Sequence, residues 1–346
     1  MSFDSLYLWM QKTKAILWFL VRILLAAGII GWLVSKNFDR LSEAIHKINP
    51  MWLLAAVLLY GIHLLAGAWR WQILLKVQKI HLSFWEAFSL TMQATFFSLV
   101  IPGGAVGGDL AKAGFISSRT EKGKRLKGVF TILIDRVIGM IALFSLAGVV
   151  GIMSISFLRS LSGLMELVLY ALLAGCFMGL VSAAILFFHR SLEKISLVSW
   201  ALSHADRLSK GALHNLMEAM DDFRSKYKVL LFCLAISVVL VHLNLAVVVY
   251  LIGHGTGADS LTFPFSILVT SLGNTVGALP ITPSGVGTRD YVVSHLLSAG
   301  GITEQSLLIP LIYTAIFLCF NLSGGIIFIF SRKKKKEDSS QRTEDK

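Results

Sequence analysis

The polar and apolar positions of the chain alternate in long blocks rather than at the short period of a soluble fold. A helix needs about 20 consecutive apolar residues to cross a bilayer. The runs at 16–35, 51–69, 129–156, 163–188, 229–252 and 304–330 therefore predict six full transmembrane helices. Two more apolar stretches, 83–116 and 263–300, are interrupted by Pro and Gly and predict broken helices. The first run is too long for a signal-peptide core and more runs follow it, so it is read as a retained first helix. Phe38, Leu41, Ile45 and Ile48 share one helical face, as do Leu208, Leu213, Leu216, Met220 and Phe223. These two amphipathic segments are expected to lie in the membrane interface or on the bundle.

The basic residues orient this series. They fall at Lys12 and Lys14, at Arg70, Lys76 and Lys79, at 119–127, across the 189–228 loop, and at Lys333–Lys336. All of them can face the cytoplasm, as positive-inside placement requires, if each broken stretch enters and leaves on the same side. Then 83–116 dips in from the cytoplasm, 263–300 dips in from outside, and both termini are cytoplasmic. The 36–50 loop, with Lys36, Arg40 and Lys47, runs against this arrangement. The alternative is that the broken stretches cross fully.

On the first arrangement the order span, span, broken hairpin, span occurs twice, starting from opposite sides. The expected fold is an all-α polytopic integral membrane protein, an inverted-topology repeat with six full spans and two broken re-entrant helical hairpins. Residues 1–160 form the first repeat, 161–330 the second, and 331–346 a basic cytoplasmic tail. The echo is clearest at the two breaks. Pro102-Gly-Gly-Ala-Val-Gly-Gly-Asp109 and Pro283-Ser-Gly-Val-Gly-Thr-Arg-Asp290 have the same proline-to-aspartate spacing.

Composition agrees with the pattern. Of 346 residues, 55% are hydrophobic and 15% charged, with a mean hydropathy of +0.72. That excludes a soluble enzyme, a disulfide scaffold and a disordered regulator. The net charge of +12 would suit nucleic acid, but its position between apolar runs assigns it to membrane topology. Cys176, Cys233 and Cys319 each sit alone in an apolar run, with no metal-ligand spacing.

Candidate chemistry lies where charge or irregular backbone falls at membrane depth. Gly103, Gly104, Gly107 and Gly108 allow the chain to reverse, and the helix that follows would aim its amide-rich end into the membrane, where it attracts an anion. Asp109 is a candidate cap for that helix, and Lys112 a cation for the same site. The competing reading is a packing turn with a snorkelling Lys112. Pro283, Gly285 and Gly287 form the second turn, opening onto Arg289 and Asp290, which are either site residues or a mutually neutralising pair, with Asn274 two turns upstream. Asp135 and Arg136 lie inside a span, where charge is costly and faces the bundle interior. Arg136 is a candidate phosphate fork or a structural partner of Asp109 or Asp290. Arg70, within Trp69-Arg70-Trp71, reads first as an interface anchor and second as a phosphate ligand. Arg22, His63, Glu86, Glu166 and His242, in or near apolar runs, are read as structural or interfacial rather than functional. No Walker A loop, dinucleotide fingerprint, zinc motif or nucleophile elbow is present in the sequence. No cofactor, metal or catalytic residue is expected.

These motifs resemble the lysylphosphatidylglycerol synthase transmembrane-region family, whose members are described as flippase-like. The resemblance rests on Pro102-Gly-Gly-x-x-Gly-Gly-Asp109, Asp135-Arg136-x-x-Gly139 and Pro280-x-x-Pro283-x-Gly285-x-Gly287-x-Arg289-Asp290, and spans about residues 14 to 331. Two positions depart from its pattern: Ser284 where Gly is usual, and Asp290 where Glu is usual. The resemblance implies a lipid translocator, moving an anionic or aminoacylated phospholipid or a lipid-linked intermediate; with no organelle-targeting signal in the sequence, the cytoplasmic (inner) membrane is the expected location. With the chain ending at Lys346, synthesis of lysyl-lipid by a fused synthase domain is not expected. Transport would be passive or ion-coupled, with Asp109, Asp135 and Asp290 as proton carriers. The alternatives are an integral membrane enzyme acting on lipid phosphates, or a non-transporting partner of a lipid synthase or glycosyltransferase. The expected ligand is a membrane lipid, not nucleic acid. The oligomeric state stays open.

Overall fold

Asn49 and Pro50 start the first described helix. The Asn49 side chain accepts a hydrogen bond from the Met51 amide at 3.0 Å, and Pro50, with no amide to satisfy, fills the first turn. The computed structural model describes residues 28, 48–101, 104–161, 163–187, 196–208, 223–279 and 281–344. The expected span 16–35, most of both amphipathic segments, and Pro102, Gly103 and Pro280 lie outside the described residues.

The first helix, α1, runs Pro50–Val77. It is followed by α2 (Phe84–Val100) and α3 (Ala105–Arg119). A capping box starts α2: Ser83 accepts from the Glu86 amide while Glu86 accepts from the Ser83 amide. The helix ends at Ile101, which is extended (φ −85°, ψ 135°), as the residue before a proline must be. Next come α4 (Arg125–Met153), the short α5 (Ile155–Ser160), α6 (Leu164–Phe187) and α7 (Ser196–Leu208). Helix α8 (Tyr227–Gly255) is wound as a π-helix over Ser237–Leu243. The chain closes with α9 (Phe263–Gly277), a single 3-10 turn at Pro283–Gly285, α10 (Thr288–Ala299) and α11 (Leu308–Glu344).

Every regular element among the described residues is helical. Five helical stretches are long and apolar enough to cross a membrane: Pro50–Val77, Arg125–Met153, Glu166–Ile185, Tyr227–Gly255 and Leu308–Ser331. They coincide with five of the six predicted runs. One boundary matters for the site: α1 continues well past residue 69, so Arg70 sits within a helix and not at its end.

The two broken stretches form helical hairpins, α2 against α3 and α9 against α10. Gly108 makes the first closure possible, since a Cβ there would lie 2.5 Å from the Ala94 carbonyl oxygen of α2. Gly285 does the same for the second. Its φ of +75° favours glycine, and a Cβ would lie 2.5 Å from the Gly277 Cα. Packing around the hairpins is reciprocal. Helix α4, which follows the first hairpin, packs on α9 of the second, and α11, which follows the second, packs on α2 of the first; α1 and α8 pack on each other. Helix α8 is central, with 50% of its apolar window buried, whereas only 11% of that in α6 is buried. The outer face of α6 presents Leu167, Phe177 and Met178, a surface suited to acyl chains. The main apolar core gathers Tyr60, Leu64, Val249, Leu272, Leu296 and their neighbours.

Candidate functional site

The tips of the two hairpins touch. Ser98, on the last turn of α2, and Ser284, in the second turn, bring their hydroxyl oxygens to 3.2 Å, and the Ser284 hydroxyl donates to the Ser98 carbonyl at 3.3 Å. Ser284 has φ +51°, in the left-handed region. Beside this contact lies an open cavity of about 380 Å3, lined by residues of α1, α2, α3, α4, α8, α9, α10 and α11.

Most of the polar residues singled out from the sequence meet on its wall. Arg70, Gly108, Asp109, Lys112, Asp135, Arg136, Asn274 and Arg289 all line it. Arg136, on α4, forms a forked pair with Asp109 of α3, Nε to Oδ2 at 2.6 Å and Nη2 to Oδ1 at 3.0 Å. Asp109 thus faces another helix and is not a cap: α3 begins at Ala105 behind Gly104, and no side chain caps it. Arg70 donates to Asp135 Oδ1 at 2.7 Å and also to the Ser237 hydroxyl at the start of the π-helical segment. It is 8% exposed, so the interface-anchor reading is replaced by a buried ion pair. Only Trp69 of its flanking tryptophans reaches the surface, and Trp71 is fully buried.

Lys112 does not snorkel. It is 5% exposed, and its Nζ lies 3.8 Å from the centroid of the Trp71 ring, which in turn donates to Thr131 at 3.0 Å. Among the described residues Lys112 has no carboxylate within ion-pair distance, whereas Arg70, Arg136 and Arg289 each have one. Arg289 pairs with its neighbour Asp290 at 3.3 Å, donates to Thr314, and lies over the rings of Tyr313 and Phe317. Asp290 is fully buried behind it. Its carboxylate accepts from the Gly287 amide at 2.9 Å and from the Thr314 hydroxyl at 2.7 Å, capping α10 from within the helix's first turn.

The remaining turn residues shape the tips without lining the cavity. Gly104 (φ +59°) and Gly287 (φ +87°) precede α3 and α10, Gly107 packs against Ile101, and Pro283 opens the 3-10 turn that ends at Gly285. Gly103 lies outside the described residues.

Four further polar residues belong to the wall: Thr91 and Asn321, which the sequence reading does not single out, and His63 and His242, which it takes as structural or interfacial. His63 Nδ1, Thr91 Oγ1, His242 Nδ1 and Asn321 Nδ2 are buried without a hydrogen-bond partner, and all four residues line the cavity. Buried polar atoms are seldom left unpaired in a finished structure. Their sequence signal was present but faint: single polar residues within otherwise apolar helices. His242 does have a structural bond, from Nε2 to the Gly139 carbonyl oxygen at 3.1 Å. Among the described residues, no three of His, Cys, Asp and Glu come together as a metal site.

Comparison with known sequences identifies the scaffold. The lysylphosphatidylglycerol synthase TM region matches residues 19–324. The chain belongs to this family. A UPF0104 membrane protein of Pyrococcus horikoshii is 24% identical over 341 residues, covering 92% of this chain and 98% of that protein. Family membership and the five long apolar helices make this a multi-pass membrane protein. In this member of the lysylphosphatidylglycerol synthase TM-region family, the cavity and both glycine-rich turns fall inside the matched region.

Proposed function

We propose that this protein carries a phosphate-bearing lipid headgroup, on a phospholipid or a lipid-linked intermediate, across the cytoplasmic membrane through the cavity between the hairpin tips. The observation that carries this reading is the excess of cations there. Four basic side chains line the cavity; Arg70, Arg136 and Arg289 pair with Asp135, Asp109 and Asp290, and buried Lys112 is the one of the four with no carboxylate within ion-pair distance among the described residues. A membrane interior holds such charge only where function requires it. A phosphate beside Lys112 and the Arg136 fork would be met by charge-assisted bonds.

The hairpins support a path rather than a surface site. At a rise of about 1.5 Å per residue, α3 and α10 are roughly 22 and 18 Å long, shorter than the roughly 30 Å hydrocarbon core. This favours re-entry over crossing. The reciprocal packing of α4 with α9 and α11 with α2 supports an inverted repeat. Acyl chains would stay in lipid while the tips part to pass the headgroup. Movement without turnover is the favoured chemistry, because each carboxylate near the cavity is already engaged by an arginine and is poorly placed to act as a base.

The test is translocation of fluorescent phosphatidylglycerol in proteoliposomes, read by dithionite quenching. Wild type should accelerate inward and outward movement, and Lys112→Met and Arg136→Gln should each slow it. Movement at the rate of protein-free vesicles, or at wild-type rate in both variants, would sink the proposal. A chemically altered lipid recovered from the same vesicles would favour an enzyme instead.

A further inference from the structure

The cavity has a mouth, and its place in the fold decides what can enter. Of the wall residues only four are exposed: Ala105 at the start of α3, Arg136 and Met140 on α4, and Ala278 just past α9. The opening therefore lies where the two tips meet α4. From there the polar groups run inward along a gradient of burial. The Arg136 side chain is half exposed, Asp109 and then Asp135 are more covered, and Lys112 is buried over Trp71. The fork from Arg136 to Asp109 ties α4 to α3 at this opening, and Arg136 Nη2 also donates to the Ala105 carbonyl oxygen at 3.5 Å. Two observations set the mouth against lipid rather than water. The first is depth. At a rise of about 1.5 Å per residue, Arg136 lies roughly 17 Å along α4, and the whole helix measures about 43 Å. That puts Arg136 near the middle of the roughly 30 Å hydrocarbon core. The second is the rim. The side chains that frame the mouth outside the cavity are apolar: Val106 on α3, Leu133 one turn before Arg136, and Leu279 and Ile281 after α9, each between 43% and 61% exposed. A contiguous apolar rim of this kind marks contact with a membrane or another apolar partner.

We propose that this mouth is a lateral portal, through which a phospholipid enters from the bilayer with its phosphate at Arg136 and its acyl chains against the rim of Val106, Leu133 and Leu279. The fork neutralises Arg136 at membrane depth, where an unpaired charge is costly. A lipid phosphate replaces Asp109 on Arg136 with charge-assisted bonds of the same kind. The displaced carboxylate has Lys112 one turn further along α3. The charges then balance, with Arg136 and Lys112 meeting one phosphate and one carboxylate. This rests on the phosphate-headgroup reading above and deepens it, naming the bilayer as the source of the ligand and the gap between α4 and the tips as its route.

The test photolabels the full chain in vesicles with a lipid that carries a diazirine midway along one acyl chain. The probes are phosphatidylglycerol and the uncharged monoglucosyl diacylglycerol with identical chains. Labelled peptides are read by mass spectrometry, and labelling at 133–140 is divided by labelling around Phe177 and Met178 on the outer face of α6. Phosphatidylglycerol should exceed the glycolipid at 133–140 by about threefold, the scale of one partly exposed charge pair. Arg136→Gln should bring the two lipids level. Equal labelling in wild type overturns the portal, even if the variant fails to fold, and so does a preference that survives in folded Arg136→Gln. A second measurement reads the medium at the mouth. With Cys176, Cys233 and Cys319 replaced by Ser, a nitroxide on Met140→Cys should be relaxed more by oxygen than by a water-soluble nickel chelate, as should one on Met178→Cys. Stronger relaxation by the chelate at Met140→Cys means a water-filled mouth and overturns the inference. The portal and the transport proposal fail separately. Translocation with equal labelling keeps transport and removes the portal, whereas a labelling preference without translocation keeps the portal as a lipid site and removes transport.

Discussion

The two hairpins share one spacing from proline to aspartate but use the aspartate in opposite ways. In the first, Asp109 reaches across to Arg136 on another helix, in a pair whose side chains are 24% and 49% exposed. In the second, Asp290 turns back on its own helix end and its neighbour Arg289, with side chains 0% and 6% exposed. Both side chains of the first pair line the cavity, and on the proposed function a phosphate would take the place of the Asp109 carboxylate on Arg136. The second is locked, because the Gly287 amide, Thr314 and Arg289 all converge on Asp290. One tip is thus suited to receive a ligand and the other to stay rigid while it does so.

This difference can be broken by matched substitutions. Asp290→Asn leaves Arg289 buried without its charge partner and should cost about 3–5 kcal/mol, seen as a large fall in thermal midpoint in detergent. Gly108→Val forces a side chain into the Ala94 backbone and should cost about 1–3 kcal/mol by overpacking, measured in the same way. Asp109→Asn should change stability by less than about 1 kcal/mol, as expected of a partly exposed pair. It should also tighten binding of phosphatidylglycerol, because Arg136 is released. Equal destabilisation by Asp109→Asn and Asp290→Asn would remove the comparison. The smallest effect is expected at Ser284. Ser284→Ala loses the hydroxyl bonds to Ser98 and should cost about 1 kcal/mol. Ser284→Gly loses them too but gains about as much from relief of the left-handed backbone, so its midpoint should stay near wild type.

Much of this plan was legible in the sequence because its signals are local. Apolar run length marked the spans, and Pro102 and Pro283 with their glycines marked the turns. The ion pairs were less accessible. Arg70 and Asp135 are 65 positions apart, and Arg70 stands where hydropathy falls, so it read as the end of a span. Only the fold shows α1 continuing to Val77 and carrying Arg70 into the interior. Lys112 was recognised as a site residue, but its seat over Trp71 of α1 depends on how the fold places α3. The hydrogen-bonding wall was the least visible part. Thr91, Asn321, His63 and His242 come from four helices, and no linear motif connects them. The π-helical segment that carries His242 has no signature of its own in the sequence.

Contact between the tips gives the most direct test of the proposed path. With Cys176, Cys233 and Cys319 replaced by Ser, the double variant Ser98→Cys with Ser284→Cys places two thiols where the hydroxyl oxygens now lie 3.2 Å apart. Oxidation should form the cross-link and stop translocation of fluorescent phosphatidylglycerol in proteoliposomes, and reduction should restore it. Undiminished translocation in protein shown to be fully cross-linked would contradict the account.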